Sequence, residues 1–499
     1  MSEVLFQFER VSISRGSRDI VRDFSRSIQR GACVAITGCN GSGKTTLLKA
    51  IAGKVPITHG RIRYFLDDEQ RIAATPGPRQ LGWVDFHAGD LVMRHPDAFY
   101  QQRYYASQTH GWVQVYALLH EYAIQHLGMQ ESELHERLDE LCQHKHLFSP
   151  ELLEHQVQQL SNGELKKLLI LRALLPGPKL LLLNAPFTGL DAASRRQLKE
   201  MFKQISKHGI TIVMEVLPEE VDDLFDDVIS LQKVHRSSTR PHIDVPLPVL
   251  SQSLSHDIPL FEMRDVEVQY GQQQVLKHIH WRVYPGERWL ICGQNGSGKS
   301  TLLSLITTDH PQAYAQQVYW RGRRRGSGES IWEIKRQQAY VSPEMHHYLR
   351  TQQDCLSWFM QQVKPDVSHS ASGLTIQQEA LQYLQYWDME SCAGQPVSQL
   401  STSEQRLLLC IRALLMKAPL LILDEPCQGL DAFSRQRISD MLDRWSADPA
   451  FTLLYVTHEL HELPACITHM LYLHRGEIVY SGRYDYRLAE HFFDHQVLA

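Results

Sequence analysis

The sequence has few of the features that mark secreted, membrane-spanning or thiolate-metal proteins. Its nine cysteines are scattered and form no Cys-x-x-Cys pair, which favours free, buried thiols in a reducing compartment. The N-terminus alternates like a β-strand and lacks the basic and apolar regions of a signal peptide. The most apolar stretches, residues 168–187 and 407–423, are interrupted by charges and proline, so neither offers the roughly 18 uncharged residues of a transmembrane helix. We therefore expect a cytoplasmic protein without a transmembrane segment of its own, at most peripheral to the inner membrane.

Neither sign of charge is in excess. The chain has 51 lysines and arginines against 56 aspartates and glutamates, a net charge of −5, and 43% hydrophobic residues, which is an ordinary globular composition. The short arginine run at residues 321–325 is interpreted as a solvated or acid-paired loop. A nucleic-acid partner is therefore not favoured.

The chain does contain one phosphate-binding pattern twice, 255 positions apart. Segments 38–45 (GCNGSGKT) and 293–300 (GQNGSGKS) match G-x-x-x-x-G-K-[ST]. In this pattern the backbone N–H groups close around phosphate oxygens, the lysine neutralises charge and the hydroxyl of Thr45 or Ser300 ligates Mg²⁺. The residues predicted to bind nucleotide phosphate are Gly38, Asn40, Gly41, Ser42, Gly43, Lys44, Thr45, Thr46, Gly293, Asn295, Gly296, Ser297, Gly298, Lys299, Ser300 and Thr301.

The order of patterns around each P-loop predicts a duplicated α/β protein. Each P-loop follows a short apolar run and precedes leucine-rich helical spacing, and later apolar runs are typical of buried parallel strands. We expect two P-loop NTPase domains, each with a β-rich start, a mostly parallel sheet and an inserted helical subdomain, which in the first half spans about residues 95–160. The predicted boundaries are 1–232 and 259–499, joined by a short polar, proline-punctuated linker at 233–258.

A further set of motifs resembles the ATP-binding cassette (ABC) ATPases along nearly the entire chain. In the first half, the signature-like segment 160–164 (LSNGE) precedes the apolar run 180–184 and Gly189-Leu190-Asp191, and the second half repeats this order. The resemblance implies that two cassettes stack head to tail, so that each ATP lies between the P-loop of one cassette and the signature of the other. Whether the halves pair within one chain or with a second copy is left open.

The resemblance implies a complete catalytic set in the second half. Asp424 would hold the magnesium shell, and Glu425 would be the general base that polarises the attacking water. His458 lies where the family places the histidine that contacts the γ-phosphate, and Tyr270 matches the aromatic residue that stacks on adenine. With Lys299, these residues predict a competent ATPase site.

The first half departs from the family at the matching positions, which carry Asn184, Ala185, Leu217 and Arg15. Losing a carboxylate near Mg²⁺ removes a Coulomb energy of about 4 kcal/mol at an effective dielectric near 20, and losing the base typically costs roughly 10²- to 10⁴-fold in rate. We therefore expect the first P-loop to bind ATP and scarcely to hydrolyse it.

The two signatures also differ, but here the first half keeps the family pattern and the second half departs from it. The first half keeps Ser161 and Gly163, whereas the second has Ser401 followed by Ser403 at the position of the close-approach glycine. Under head-to-tail pairing all departures fall into one composite site. The intact one would combine Lys299, Asp424, Glu425 and His458 with Ser161 and Gly163.

Residues 302–332 are similar to the ModF-type tandem cassette proteins, which are associated with molybdate transport. The first hypothesis is therefore an ATPase that binds two Mg-ATP and energises a membrane permease subunit or a soluble regulator. A Q-loop glutamine is not evident in either half, which weakens the coupling to a permease. The alternatives are an ABC-F-like ribosome-associated factor, whose long charged linker residues 233–258 do not resemble, and an ATP-dependent binding switch with little turnover.

Overall fold

The computed structural model describes residues 4–15, 18–39, 41–66, 75–77, 79–86, 114–144, 147–157, 160, 162–190, 192–232, 257–270, 273–328, 330–343, 345, 349, 351–363 and 375–495. These residues fold as two compact units, unit 1 up to residue 232 and unit 2 from residue 257. The predicted domain boundaries stay predictions, because residues 233–256 of the proposed linker lie outside the described ranges.

Unit 1 consists of a five-stranded parallel sheet in the order β5-β6-β7-β3-β8, an antiparallel sheet in the order β2-β1-β4, and α-helices. Its strands are β1 (Val4–Arg15), β2 (Arg18–Gln29), β3 (Cys33–Gly38), β4 (His59–Tyr64), β5 (Leu81–Asp85), β6 (Leu180–Asn184), β7 (Thr211–Glu215) and β8 (Asp227–Leu231). Its α-helices in the described ranges are α1 (Lys44–Ile51), α2 (Val115–Leu127), α3 (Glu131–Asp139), α4 (Asn162–Leu174) and α5 (Ala192–Lys207). Helices α2 and α3 lie in the segment predicted as a helical insertion.

Unit 2 repeats this plan with a sheet in the order β14-β15-β16-β11-β17-β18, parallel except for its last pair, and an antiparallel sheet in the order β10-β9-β12-β13. Its strands are β9 (Phe261–Tyr270), β10 (Gln273–Val283), β11 (Arg288–Cys292), β12 (Val318–Trp320), β13 (Arg323–Arg324), β14 (Gln338–Val341), β15 (Leu420–Asp424), β16 (Thr452–Val456), β17 (His469–His474) and β18 (Glu477–Arg483). Its α-helices are α6 (Lys299–Ile306), α7 (Ile331–Lys335), α8 (Cys355–Gln362), α9 (Ile376–Tyr386), α10 (Thr402–Leu415), α11 (Ala432–Trp445) and α12 (Tyr486–His495). The predicted α/β class with mostly parallel sheets is confirmed.

Each parallel sheet is buried on both faces, which explains its continuous apolar runs. On β6, Leu181 and Leu183 join a core with the helices α2 to α5, whereas Leu180 and Leu182 join a second core with α1 and the antiparallel sheet. Successive side chains of a strand point to opposite faces, so a strand between two cores must be apolar at every position. Each fully buried leucine contributes roughly 1.5–3 kcal/mol of transfer free energy.

The strand registers place equivalent residues of the two units at the same edge of each sheet. Asn184 is paired with Glu215 across β6 and β7, and Asp424 is paired with Val456 across β15 and β16. Two residues beyond Glu215 is Leu217, and two beyond Val456 is His458. The register therefore supports the predicted correspondence of Leu217 with His458.

Two further expectations concern thiols and membrane spans. All nine cysteines lie within the described ranges as free thiols, and all but Cys39 and Cys466 are buried. Among the helices of the described ranges, none combines the length and apolar character needed to cross a bilayer.

Candidate functional site

Both P-loops form the same backbone cradle at the carboxyl end of a central strand. In unit 2, Gly298 adopts φ +103° directly before α6, and the Lys299 Nζ donates to the carbonyls of Gly293 and Gln294 at 2.7 and 2.9 Å. In unit 1, the Lys44 Nζ makes the equivalent bonds to Gly38 and Cys39 at 2.9 and 3.2 Å. Each lysine is thus held at the start of its helix, where a phosphate would meet backbone N–H groups.

The other predicted P-loop residues lie in these two cradles. The hydroxyls of Ser42 and Ser297 are buried and have no hydrogen-bond partner within the described residues, as expected for groups that await a phosphate oxygen. Ser300 is exposed in the first turn of α6, and Thr301 is buried behind it. Asn40 lies outside the described residues.

The cradle requires glycine at its first position. Gly293 has φ +151°, and an added Cβ would lie 2.2 Å from the Leu473 carbonyl oxygen, whereas a Cβ on Gly296, at φ +79°, would meet nothing within 4 Å. We expect Gly293→Ala to lower the free energy of unfolding by roughly 2–5 kcal/mol and to abolish ATP binding at this loop. The control Gly296→Ala should cost about 1–2 kcal/mol from backbone strain alone. Thermal unfolding and ATP titration would measure both, and equal losses in the two variants would contradict the steric argument.

The side chains of Glu425 and His458 are in contact at the end of β15 and just beyond β16. The His458 Nε2 contacts the Glu425 Oε1, and both side chains are less than one-fifth exposed. Burial alone would raise the pKa of Glu425, but the hydrogen bond and charge of His458, with Lys299 and Arg406 nearby, hold that pKa below its ordinary value. Glu425 is therefore a carboxylate at neutral pH, the form that a general base needs.

Glu425 has an unusual backbone conformation, which sets the direction of its side chain at the end of β15. Its φ of +47° lies in the left-handed region, which costs a non-glycine residue about 1–3 kcal/mol, and Ala185 holds the same conformation at φ +52° in unit 1. The two loops therefore have the same strained turn, but only unit 2 has a carboxylate on it.

Sequence reasoning missed the residues that hold this loop. The buried Arg406 of α10 donates to the backbone and side-chain oxygens of Gln428, and the Gln428 Nε2 donates to the Glu425 Oε2 at 2.9 Å. In unit 1 the Lys166 Nζ of α4 donates to the carbonyls of Pro186 and Thr188, both at 2.6 Å. The buried basic residue lies three positions after Gly163 in one signature and after Ser403 in the other. It would have been a usable signal only if its partner in the loop were known.

Unit 1 has neither member of the Glu425–His458 pair, because Ala185 and Leu217 stand at the matching positions. Asn184, at the magnesium position, is only 4% exposed, and its Nδ2 donates to the Asp85 Oδ1 at 2.9 Å. The side chain of Arg15 lies outside the described ones. The described residues of this unit therefore contain a phosphate cradle but no counterpart of the Glu425–His458 pair.

Unit 1 does have a carboxylate that sequence reasoning did not identify. The Thr45 Oγ1 donates to the Glu215 Oε2 at 2.6 Å, and the Lys44 Nζ lies 3.8 Å from the Glu215 Oε1. Burial raises the pKa of Glu215, while Lys44 and Thr45 lower it in part. The matching residue of unit 2 is the apolar Val456, so no family pattern pointed to this position.

Tyr270 ends β9, and its hydroxyl is 2.8 Å from the Nε2 of the buried His310. Burial lowers the pKa of His310 to about 4, so its ring is neutral, and its Nδ1 accepts from the Gln312 N–H. The Nε2–H therefore donates to the Tyr270 oxygen, which restrains this ring. Its stacking on adenine stays a prediction.

The unit 2 signature forms hydrogen bonds within itself at the start of α10. Ser401 caps the helix by accepting from the Glu404 N–H, and the Glu404 carboxylate accepts from the Ser401 N–H at 2.8 Å. The Ser403 hydroxyl is turned to the Gly429 carbonyl at 3.3 Å. In unit 1, a Cβ on Gly163 would make an ordinary 3.4 Å contact with Ser194, and Ser161 lies outside the described residues.

Comparison with known proteins agrees with the geometry. The family model described as "ABC transporter" matches residues 21–188 and 276–428. The chain is similar to the ABC transporter ATP-binding protein ModF of Escherichia coli strain K12, at 32% identity over 475 residues that cover 89% of this chain and 92% of the relative. An uncharacterized ABC transporter ATP-binding protein of Schizosaccharomyces pombe is 27% identical over 92% of this chain and 96% of its own length.

Proposed function

The chain belongs to the ABC transporter family of ATP-binding ATPases, and on that premise we propose that both P-loops bind Mg-ATP and that hydrolysis occurs mainly at the unit 2 P-loop. The observation that carries this proposal is the Glu425–His458 pair in unit 2, set against Ala185 and Leu217 in unit 1. Both units have the cradle and its lysine, so both should bind ATP. Hydrolysis should not be common to them.

The residues of unit 2 fit the groups that this reaction needs. The Ser297 hydroxyl, which is buried and has no hydrogen-bond partner among the described residues, and the Lys299 ammonium suit a phosphate. The Asp424 carboxylate with the Ser300 hydroxyl suits Mg²⁺, a cation that prefers oxygen ligands. When bound, the cation neutralises charge on the phosphates.

Each side chain then has a definite task. Lys299, held by two carbonyls, places its charge at the phosphates, and Glu425 accepts the proton of the attacking water. His458 keeps that carboxylate oriented and would exchange this contact for one to the γ-phosphate, as the family resemblance implies. Gln428 fixes the second carboxylate oxygen, so Glu425 is oriented before nucleotide arrives.

The unit 2 P-loop would be completed by the unit 1 signature at Ser161 and Gly163, from this chain or from a second copy. The unit 1 P-loop would face Ser401 and Ser403. A glycine at position 163 leaves the helix N-terminus open to a phosphate, whereas the Ser403 side chain occupies that position in unit 2. Both features support the proposal that turnover occurs at the unit 2 P-loop.

We propose that this ATP cycle drives a partner, either a membrane permease subunit or a soluble regulator. The relative from E. coli is named as an ABC transporter ATP-binding protein. A molybdate-like substrate is what the resemblance to the ModF-type tandem cassette proteins implies.

The partner can be identified by capture with the chain locked in its ATP-bound state. Tagged Glu425→Gln chain, incubated with Mg-ATP, should retain a permease or regulator that the Lys299→Ala chain, processed in parallel, does not retain. Quantitative mass spectrometry of the two eluates would measure the difference. Stable co-sedimentation of the ATP-bound variant with ribosomes would contradict the proposal and favour the ABC-F alternative.

A further inference from the structure

Unit 1 has a carboxylate beside its P-loop, but on a different strand from unit 2. Asp85, Asn184 and Glu215 are register partners at the carboxyl ends of β5, β6 and β7. Register partners on parallel strands point to the same face, and the alternate residues Leu180 and Leu182 of β6 pack into the core that contains α1. These three polar side chains thus form a row on the P-loop face of the sheet.

Glu215 makes the contacts expected of a magnesium carboxylate. In P-loop NTPases the cation is held by the P-loop hydroxyl together with a carboxylate from a neighbouring strand. The Glu215 Oε2 accepts from the Thr45 hydroxyl at 2.6 Å, and the Glu215 side chain is only 14% exposed. A carboxylate so placed could share a cation with Thr45 if the hydrogen bond between them were replaced by a metal contact from each oxygen, with the hydroxyl keeping its proton.

A second polar group, Asn184, is the register partner of Glu215 on β6. The Asn184 Oδ1 is buried and has no hydrogen-bond partner within the described residues, although its Nδ2 is bonded to Asp85. An orphaned buried acceptor costs about 1–3 kcal/mol, so it calls for a donor, a water or a cation. Amide oxygens are ordinary ligands of hard cations.

Glu215 leaves the hydrogen bonds and backbone conformation of the unit 1 P-loop as they are in unit 2. The Lys44 Nζ keeps its bonds to Gly38 and Cys39, as Lys299 does to its own carbonyls, and remains 3.8 Å from Glu215. Gly38 and Gly293 have nearly the same φ, +142° and +151°, and a Cβ added to either would lie 2.2 Å from a neighbouring carbonyl oxygen. The unit 1 loop thus retains the phosphate-binding geometry with the carboxylate in place.

We propose that Glu215 is the magnesium carboxylate of the unit 1 P-loop and that it holds the cation with Thr45 and the amide oxygen of Asn184. Unit 1 thus has its carboxylate on β7, one strand away from the position of Asn184 on β6. Since Ala185 supplies no base, this site would retain Mg-nucleotide without turning it over. The inference rests on the proposed binding of ATP at this P-loop.

The test measures binding to the full chain with the unit 2 P-loop disabled by Lys299→Ala. Calorimetric titration with ATP in Mg²⁺ and in EDTA gives the affinity gained from the cation. Glu215→Gln, which keeps the shape and removes the charge, should reduce that gain by about 10- to 100-fold and leave binding in EDTA unchanged. The exposed carboxylate Glu219, changed to Gln, is the matched control and should leave the gain intact.

A rescue variant separates ligation from mere packing. Glu215→Val with Asn184→Asp returns the carboxylate to the strand that carries it in unit 2, and it should restore the Mg²⁺-dependent gain. If Glu215→Gln left the Mg²⁺-dependent gain in affinity unchanged, the inference would be wrong, but ATP binding at this P-loop would stand. Tighter Mg-ATP binding in that variant would also contradict the inference, because it would show that Glu215 excludes the nucleotide. Absence of ATP binding to the Lys299→Ala parent in either buffer would refute binding at this P-loop, and the inference with it.

Discussion

Replacing Glu425 by glutamine is expected to lower the rate of ATP hydrolysis by about 10²- to 10⁴-fold while ATP stays bound. The carboxylate is held on one oxygen by His458 and on the other by Gln428, and its pKa lies below its ordinary value. Glutamine retains the shape of the side chain but cannot accept the proton of the attacking water. Steady-state phosphate release and filter retention of labelled ATP would measure the two effects.

A surface carboxylate of the same unit provides the control. Glu477 on β18 is 61% exposed and pairs with Lys277 at 3.4 Å on the surface, so Glu477→Gln should hydrolyse ATP at the parental rate. Turnover in the Glu425→Gln chain comparable with that of the control would show that the base lies elsewhere, and the assignment of unit 2 as the catalytic unit would fall with it.

Removing the two P-loop lysines one at a time is expected to give unequal losses. Lys299→Ala should reduce turnover by about 10²-fold or more, because it takes the positive charge from the phosphates at the P-loop whose unit has the Glu425–His458 pair. Lys44→Ala should leave most of the turnover and remove one of the two bound nucleotides. Both lysines make the same two carbonyl bonds, so the pair is matched in its structural cost.

The measurements are kcat and KM for ATP and the number of ATP molecules bound per chain at saturation. Thermal unfolding of both variants would show whether either loss reflects instability. If the two lysines proved equally necessary for hydrolysis, both P-loops would have to contribute equally to turnover. The difference between Ala185 and Leu217 in unit 1 and Glu425 and His458 in unit 2 would then not explain where hydrolysis occurs.

Several parts of this protein could be predicted because their signal lies in contiguous residues. The glycines, lysine and hydroxyl of each P-loop occupy one turn, and the apolar runs at β6 and β15 record burial on both faces. The unequal pairs at positions 184–185 and 424–425 are also adjacent in sequence. The duplicated α/β fold and the family are therefore confirmed, whereas the asymmetric use of the two P-loops stays a prediction.

The groups that sequence reasoning missed are joined only by the fold. Gln428 reaches Glu425 from within its own turn, but Arg406 must come from a helix 22 residues earlier to hold that turn. Thr45 and Glu215 are 170 residues apart, and Glu215 ends an ordinary apolar strand with no motif around it.

The sequence by itself determined that there are two phosphate cradles and that only the second has the acids and histidine of the family pattern, since each motif is a run of neighbouring residues. Only the tertiary structure decided that unit 1 retains a carboxylate at its cradle, on β7 instead of β6. The physical reason is the parallel sheet, whose register brings the ends of strands that are distant in sequence to one edge, where Glu215 meets Thr45 and Lys44.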